Sequence, residues 1–153
     1  MKKITHLLDT NILSNLIRHP QGVIAKRIGK QGEEAVATSL IVAAEVRYGC
    51  AKKGSDKLTA QANAILDALT ILPLESPVDS IYGQIRQTLE TKGTPIGPND
   101  LLIAAHALSL DLTLVTANAA EFSRIPGLTV ENWLAKSRTG LQPVSPDKPA
   151  NQK

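Results

Sequence analysis

Apolar and polar positions along the chain follow two periods. "ITHLL" (4–8) is a short apolar run, the pattern of a strand buried on both faces. From Asn11 to Arg18 the apolar residues fall at Ile12, Leu13, Leu16 and Ile17, a helical spacing. Residues 22–30 predict a short helix before the polar "KQGEE". "AVATS" (35–39) predicts a second strand, with Ser39 placed to cap the helix of "LIVAAEVRYGCAKK". Ser55 opens a helix over 55–69, with Leu58, Ala62, Ile65, Leu66 and Leu69 on one face. "TILPL" predicts a short strand closed by Pro73, and "VDSIYGQIRQTLETKG" a helix stopped at Gly93. "TPIGP" reads as a turn, "NDLLIAAHALSLD" as a helix, "LTLVT" (112–116) as a strand and "LTVENW" (128–133) as a last short strand. No internal repeat interrupts the series.

Strands alternating with helices predict an α/β fold with a mainly parallel sheet covered on both faces. The 153 residues suit one domain, placed at 1–135. After Trp133 the periodicity fails. Three prolines and few apolar residues in "SRTGLQPVSPDKPANQK" make 136–153 an expected disordered, basic tail.

Composition narrows the function classes. Hydrophobic content is 42% and aromatic content 3%, so the core is aliphatic and a platform of several rings for stacking bases is not expected. Cys50 is the single cysteine, which excludes an internal disulfide and a Cys-rich metal site and fits a reducing cytoplasm. Lys2 and Lys3 precede an apolar run too short for a signal peptide, and no stretch is long enough to span a membrane. The net charge of +3 is unevenly spread. Residues 1–53 carry nine basic and four acidic groups, residues 54–135 four and nine, and the tail four and one. That pattern suits ordinary solvated charge first, and a weak attraction to a polyanion such as RNA second.

The acids carry the candidate chemistry. In an open parallel sheet, ligands bind beyond the carboxyl ends of the strands. Asp9 directly follows the first strand, Asp100 lies in the first turn of its helix, and Asn118 and Glu121 follow "LTLVT". Glu45 stands inside an apolar helix, where an unpaired charge is costly. Each has a purely structural reading: Asp9 as a strand-end cap, Glu45 as a salt-bridge partner of Arg47 or a lysine, Asp100 as a helix cap. Gathered at one sheet edge, however, several carboxylates repel each other, and a divalent cation removes that repulsion. Mg²⁺ and Mn²⁺ prefer such oxygen ligands and suit phosphodiester cleavage.

The stretches "LLDTN", "AEVRYG", "GTPIGPNDLLIAAHA" and "LVTANAAEFSRIPGLTVENW" resemble PIN-domain ribonucleases, and among them the VapC toxins of bacterial VapBC toxin–antitoxin pairs. The resemblance runs from about Ile4 to Trp133, with four blocks in the family's order. It implies an α/β/α sandwich and a Mg²⁺- or Mn²⁺-dependent endoribonuclease. It places Asp9, Glu45 and Asp100 as the metal-binding, catalytic acids. Where many PIN domains have a fourth acid, this chain has Asn118, and Glu121 three residues on is either the substitute carboxylate or an ordinary surface residue of its helix. Thr10, Asn11, Thr116 and Asn118 become groups that orient the acids, with turn and cap chemistry as their structural reading, and Arg86 and Lys92 are either contacts for RNA phosphates or, the favoured reading, solvated helix charges. The resemblance further implies homodimers, a VapB-type antitoxin that blocks the site, operator DNA bound only through that antitoxin, and a structured RNA substrate such as tRNA. In-line attack by water would leave 5′-phosphate and 3′-hydroxyl ends.

Two other readings fit some of the residues. Asn118 admits a PIN-like binding protein that is catalytically weak or inactive and acts through a partner. An acid after the first strand also fits a phosphohydrolase with Asp9 as covalent nucleophile, although the second acid of that pattern is Asn11 here. The apolar stripes of 11–30 and 55–69 are either partner faces or ordinary core. His6, His19 and His106 are expected in surface or core roles, and Trp133 over the core edge.

Overall fold

A computed structural model of the chain describes residues 3–135. The expected tail over 136–153 lies outside the described residues. The order is β1 (His6–Leu8), α1 (Thr10–Arg18), α2 (Val23–Gln31), a 3₁₀ turn (Glu33–Ala35), β2 (Val36–Ser39) and α3 (Leu40–Lys53). Then follow α4 (Asp56–Ala68), β3 (Thr70–Leu72), α5 (Val78–Thr91), α6 (Pro98–Ser109), β4 (Thr113–Val115), α7 (Ala119–Phe122) and β5 (Val130–Glu131). Every predicted helix and strand has its counterpart. Two short elements were not predicted: the 3₁₀ turn inside the polar "KQGEE" connection, and the single-turn helix α7, too brief to show a periodicity.

The five strands form one sheet in the order β3-β2-β1-β4-β5, and all four pairings are parallel. This is the predicted sandwich, with a sheet that is wholly rather than mainly parallel. The chain builds outward from β1 to β3 on one side, then returns to lay β4 against the other side of β1. The strand order therefore reverses between β1 and β4. A crevice opens at such a reversal, beyond the carboxyl ends of the strands. In register, Leu8 pairs with Val115, so the next residues, Asp9 and Thr116, emerge side by side at that crevice.

Burial explains why the elements sit where they do. All three residues of β1 and all four of β2 are buried, as strands covered on both faces must be. Ile12, Leu13, Leu16 and Ile17 of α1 are buried together, and so are Ala62 and Leu66 of α4. The stripes of 11–30 and 55–69 thus go largely into the core. Ser39 caps α3 as predicted, its hydroxyl accepting the Ile41 N–H at 3.1 Å, and Ser55 caps α4 through the Leu58 N–H. Gly93 ends α5 at φ 75°, a conformation that strains residues bearing a Cβ. Trp133 closes the far edge. It is 2% exposed, lies 5.5 Å from the His6 ring, and carries the Arg27 guanidinium 5.1 Å above its centroid.

Candidate active site

Asp9 occupies the N-cap position of α1 but makes no side-chain capping bond there. It is turned into the crevice and is 2% exposed. The Thr116 hydroxyl, at the end of β4, donates to its Oδ2 at 2.6 Å. That hydroxyl in turn accepts the Asn118 N–H at 3.0 Å. The other oxygen, Oδ1, is buried with no hydrogen-bond partner. A buried carboxylate oxygen left alone is expensive, so its placement calls for an explanation.

Glu45 approaches from α3. It is half-buried, and its carboxylate accepts bonds from the Thr10 hydroxyl and, at 3.0 Å, from the Asn99 amide. It does not pair with Arg47, which donates to Asn63 Oδ1 at 2.8 Å. Asp100 is half-buried in the first turn of α6, a helix whose N-cap position belongs to Gly97. Neither Asp9, which makes no side-chain capping bond, nor Asp100, which is not at the N-cap position, caps its helix in the usual way, and Glu45 has no cationic partner among the described residues.

These acids feel one another. Burial, above all, and then the neighbouring charges of Asp9, Glu121 and Glu45 push the Asp100 carboxyl up to about 6. Asp9 is also raised, chiefly by burial and further by Glu45 and Glu121, against the pull of the Thr116 hydroxyl and the Thr10 N–H. Three carboxylates thus meet at one crevice, with the charge of Glu121 felt from beside it. Among the described residues no three of these acids already stand as a metal cage. Like charges without a counter-ion settle on neutral donors, as Glu45 does on Thr10 and Asn99.

The crevice is a cleft of about 630 Å³, lined by Asp9, Thr10 and Asn11 from one side and Ala44, Glu45 and Tyr48 of α3 from another, with Asn99, Asp100 and Asn118 completing it. Its size suits a nucleotide. Asn118 is exposed on its wall, while Glu121 does not line it but acts on Asp100 from α7 through its charge. Asn11 lines the cleft, and its Oδ1 accepts the Ala117 N–H at 3.0 Å and ties α1 to the loop after β4. Arg86 and Lys92 are not brought to the cleft. Arg86 is held on its own helix by Glu90 at 2.9 Å and by Tyr82 at 2.8 Å, and Lys92 is exposed at the end of α5. Sequence reasoning missed Asn99 and Tyr48. Asn99 stands beside Asp100 in "GPND", and Tyr48 lies one turn beyond Glu45, a spacing that puts both on one helix face.

The donors fit a hard divalent cation. All are oxygens, they carry excess negative charge, and one of them is buried without a partner.

Comparisons with known proteins agree with this geometry. The PIN domain pattern matches residues 6–128, a span that includes all four acids. Over 130 residues the chain is 40% identical to ribonuclease VapC2 of Rickettsia felis, covering 84% of this chain and 97% of that one. It is 35% identical over 128 residues to the tRNA(fMet)-specific endonuclease VapC of Salmonella typhimurium, covering 83% and 96%. The crystal structure of VapBC2 from Rickettsia felis, bound to a promoter DNA fragment, matches with a TM-score of 0.77 at 37% identity, covering 85% and 99%. A match over more than four-fifths of the chain in both sequence and fold, with the acids inside it, means that this chain belongs to the PIN-domain family, in its VapC ribonuclease branch.

Proposed function

We propose that this chain is the toxin half of a VapBC-type pair and that it hydrolyses a phosphodiester bond of a structured RNA, tRNA foremost. The observation that carries the mechanism is the buried, partnerless Oδ1 of Asp9 at the point where the strand order reverses, with Glu45 and Asp100 beside it. Asp9, Asp100 and Glu45 would hold Mg²⁺ or Mn²⁺, with Glu121 or the Asn118 carbonyl as further oxygens. When bound, the cation supplies an acidified water and positive charge against the phosphate.

The chain's own residues do the rest. Thr116 fixes the Asp9 carboxylate at the base of the cleft through Oδ2. Thr10 and Asn99 hold both oxygens of Glu45, which accepts the proton of the attacking water. Asn11 keeps the β4 loop, and with it Thr116, registered on α1. The neutral Asn118 leaves the site one carboxylate short of many PIN domains. The named substrate of the Salmonella relative supports tRNA, and the antitoxin complexes of the family support a VapB-type partner, with operator DNA reached through it. A homodimer follows the same resemblance. The lone buried cysteine and the lack of any described helix long and apolar enough to cross a membrane suit a cytoplasmic setting.

Antitoxin-free protein is expected to cut total bacterial tRNA into discrete fragments with Mg²⁺ or Mn²⁺ and to stop in EDTA. Asp9→Ala should lower cleavage by about 10³-fold or more with the fold intact, because several kcal/mol of charge stabilisation go with the ion. Undiminished cutting by Asp9→Ala sinks the assignment. A silent wild type beside an active Asn118→Asp would mean that the amide has shut the site down.

A further inference from the structure

We propose that Tyr48 and Ala44 form a nucleobase subsite on the rim of the cleft, where the Tyr48 ring stacks on a base next to the scissile phosphate. The proposal rests on the ribonuclease reading and adds how the RNA is held. The chain has four aromatic residues. Phe122 and Trp133 are sealed in the core at 0% and 2% exposure. Tyr82 is half-buried, and its hydroxyl is taken by Arg86. Tyr48 alone is open, at 67% exposure, and it faces the acidic cleft.

An exposed tyrosine ring gives up a large burial gain, so its position asks for a partner. Ala44 and Tyr48 stand four residues apart on α3, one above the other, and both line the cleft. The Ala44 methyl beside the Tyr48 ring makes an apolar patch on the cleft wall. Glu45 lies between them in sequence and on the same wall, which puts the patch next to the reacting groups.

Electrostatics require such a contact. The cleft wall carries three carboxylates and, among the described residues, no lysine or arginine. RNA phosphates gain nothing from that wall itself. Affinity at the reaction centre must come from the cation and from contacts that ignore charge. Base stacking on an aromatic ring is the strongest such contact and accepts any base. A protein ligand could also cover the ring, but the ring's place on the acid-lined wall favours the RNA.

The test uses the full chain with Tyr48→Ala, Tyr48→Leu and Tyr48→Phe, and a short RNA hairpin that wild type cuts. Each loop nucleotide of the hairpin is replaced in turn by an abasic site. Tyr48→Ala and Tyr48→Leu are expected to lose roughly 5- to 150-fold in kcat/KM, and Tyr48→Phe to stay within about twofold, because the ring and not the hydroxyl stacks. On the hairpin lacking the stacked base, wild type falls to the level of Tyr48→Ala and the mutation costs nothing more. Equal losses on intact and every abasic hairpin overturn the subsite. So does wild-type cutting by Tyr48→Ala. A second readout stands apart from cleavage. In an Asp9→Asn background, 2-aminopurine in the loop should be quenched on binding, and Tyr48→Ala should abolish the quenching. A wild type that never cuts overturns the ribonuclease reading, while Tyr48-dependent quenching still upholds the base contact. Unchanged RNA readouts with weakened antitoxin binding would assign the ring to the protein partner and overturn the proposal.

Discussion

Among the described residues, two buried side chains each leave one polar atom without a hydrogen-bond partner: Asp9 at Oδ1 and His106 at Nε2. Their local wiring is alike. Asp9 is fixed by the Thr116 hydroxyl at 2.6 Å, and His106 Nδ1 by the Ser39 hydroxyl at 2.8 Å. Each of those hydroxyls also accepts a backbone N–H, from Asn118 and Ile41 respectively. Their company differs. Asp9 opens onto a cleft with Glu45, Glu121 and Asp100 around it, so its loose atom adds to a surplus of negative charge. His106 lies under the carboxyl end of β3, beside Leu72, Pro73 and Val78, with Glu75 the one acid near it. There burial holds the ring neutral, against the weaker opposite pull of the Pro73 carbonyl, which stays outside hydrogen-bond geometry, and of Glu75. An unsatisfied atom is therefore not a signature of chemistry by itself. It becomes one where the surrounding charges cannot be balanced by the protein.

The comparison breaks most visibly at the two hydroxyls. Thr116→Val removes the bond that aims Asp9 and keeps the shape. Cleavage of tRNA is expected to fall about 10- to 100-fold, the usual cost of losing a group that orients a metal ligand. Full activity in Thr116→Val would mean that Asp9 needs no aiming. His106→Gln should act in the other direction. It lowers folding stability by about 1 kcal/mol through the weakened contact with Ser39, seen as a lower urea midpoint, and leaves kcat/KM unchanged. A large loss of activity without loss of stability would move His106 from the scaffold to the site.

Much of this contrast was legible in the sequence, and the illegible part has physical causes. Asp9 showed itself because an acid ends a strand buried on both faces, and Glu45 because an acid interrupts an apolar helix. Asp100 was marked by its place in the first turn of α6. Their meeting depends on strand order, which no local pattern states; only the return of β4 to the side of β1 brings Asn118 and Glu121 to Asp9. The threonines were named as orienting groups, but Asn99 was not, because its bond to Glu45 spans 54 residues. Tyr48 was overlooked because low aromatic content counts rings without locating them, and this one is exposed at the cleft while Phe122 and Trp133 are buried and Tyr82 is half-buried. His106 was left between surface and core, since a histidine in an apolar helix gives no sign of the serine 67 residues away that holds it.

The smallest effect sharpens the comparison through opposite signs. Asp100 is raised from 3.8 to about 6, so between those values the folded chain binds more protons there than the unfolded chain. Its contribution to stability is full below pH 3.8 and lost as pH rises through about 6. The raised Asp9 acts in the same sense. His106 is lowered from 6.5, so its contribution is present above that value and is lost as pH falls below it. In EDTA, the stability advantage of Asp100→Asn over wild type is thus expected to be small near pH 4, to grow towards pH 6 and to level off above it. That of His106→Gln over wild type should instead improve as pH falls below 6.5, because a neutral amide has no proton to take up. Urea unfolding across this range measures both. Adding Mg²⁺ at neutral pH should close the gap between wild type and Asp100→Asn, because the ion binds the folded carboxylates and replaces the missing protons. A flat difference across pH in both variants would show that the two buried groups are screened alike, and that the charge surplus at Asp9 is not what separates them.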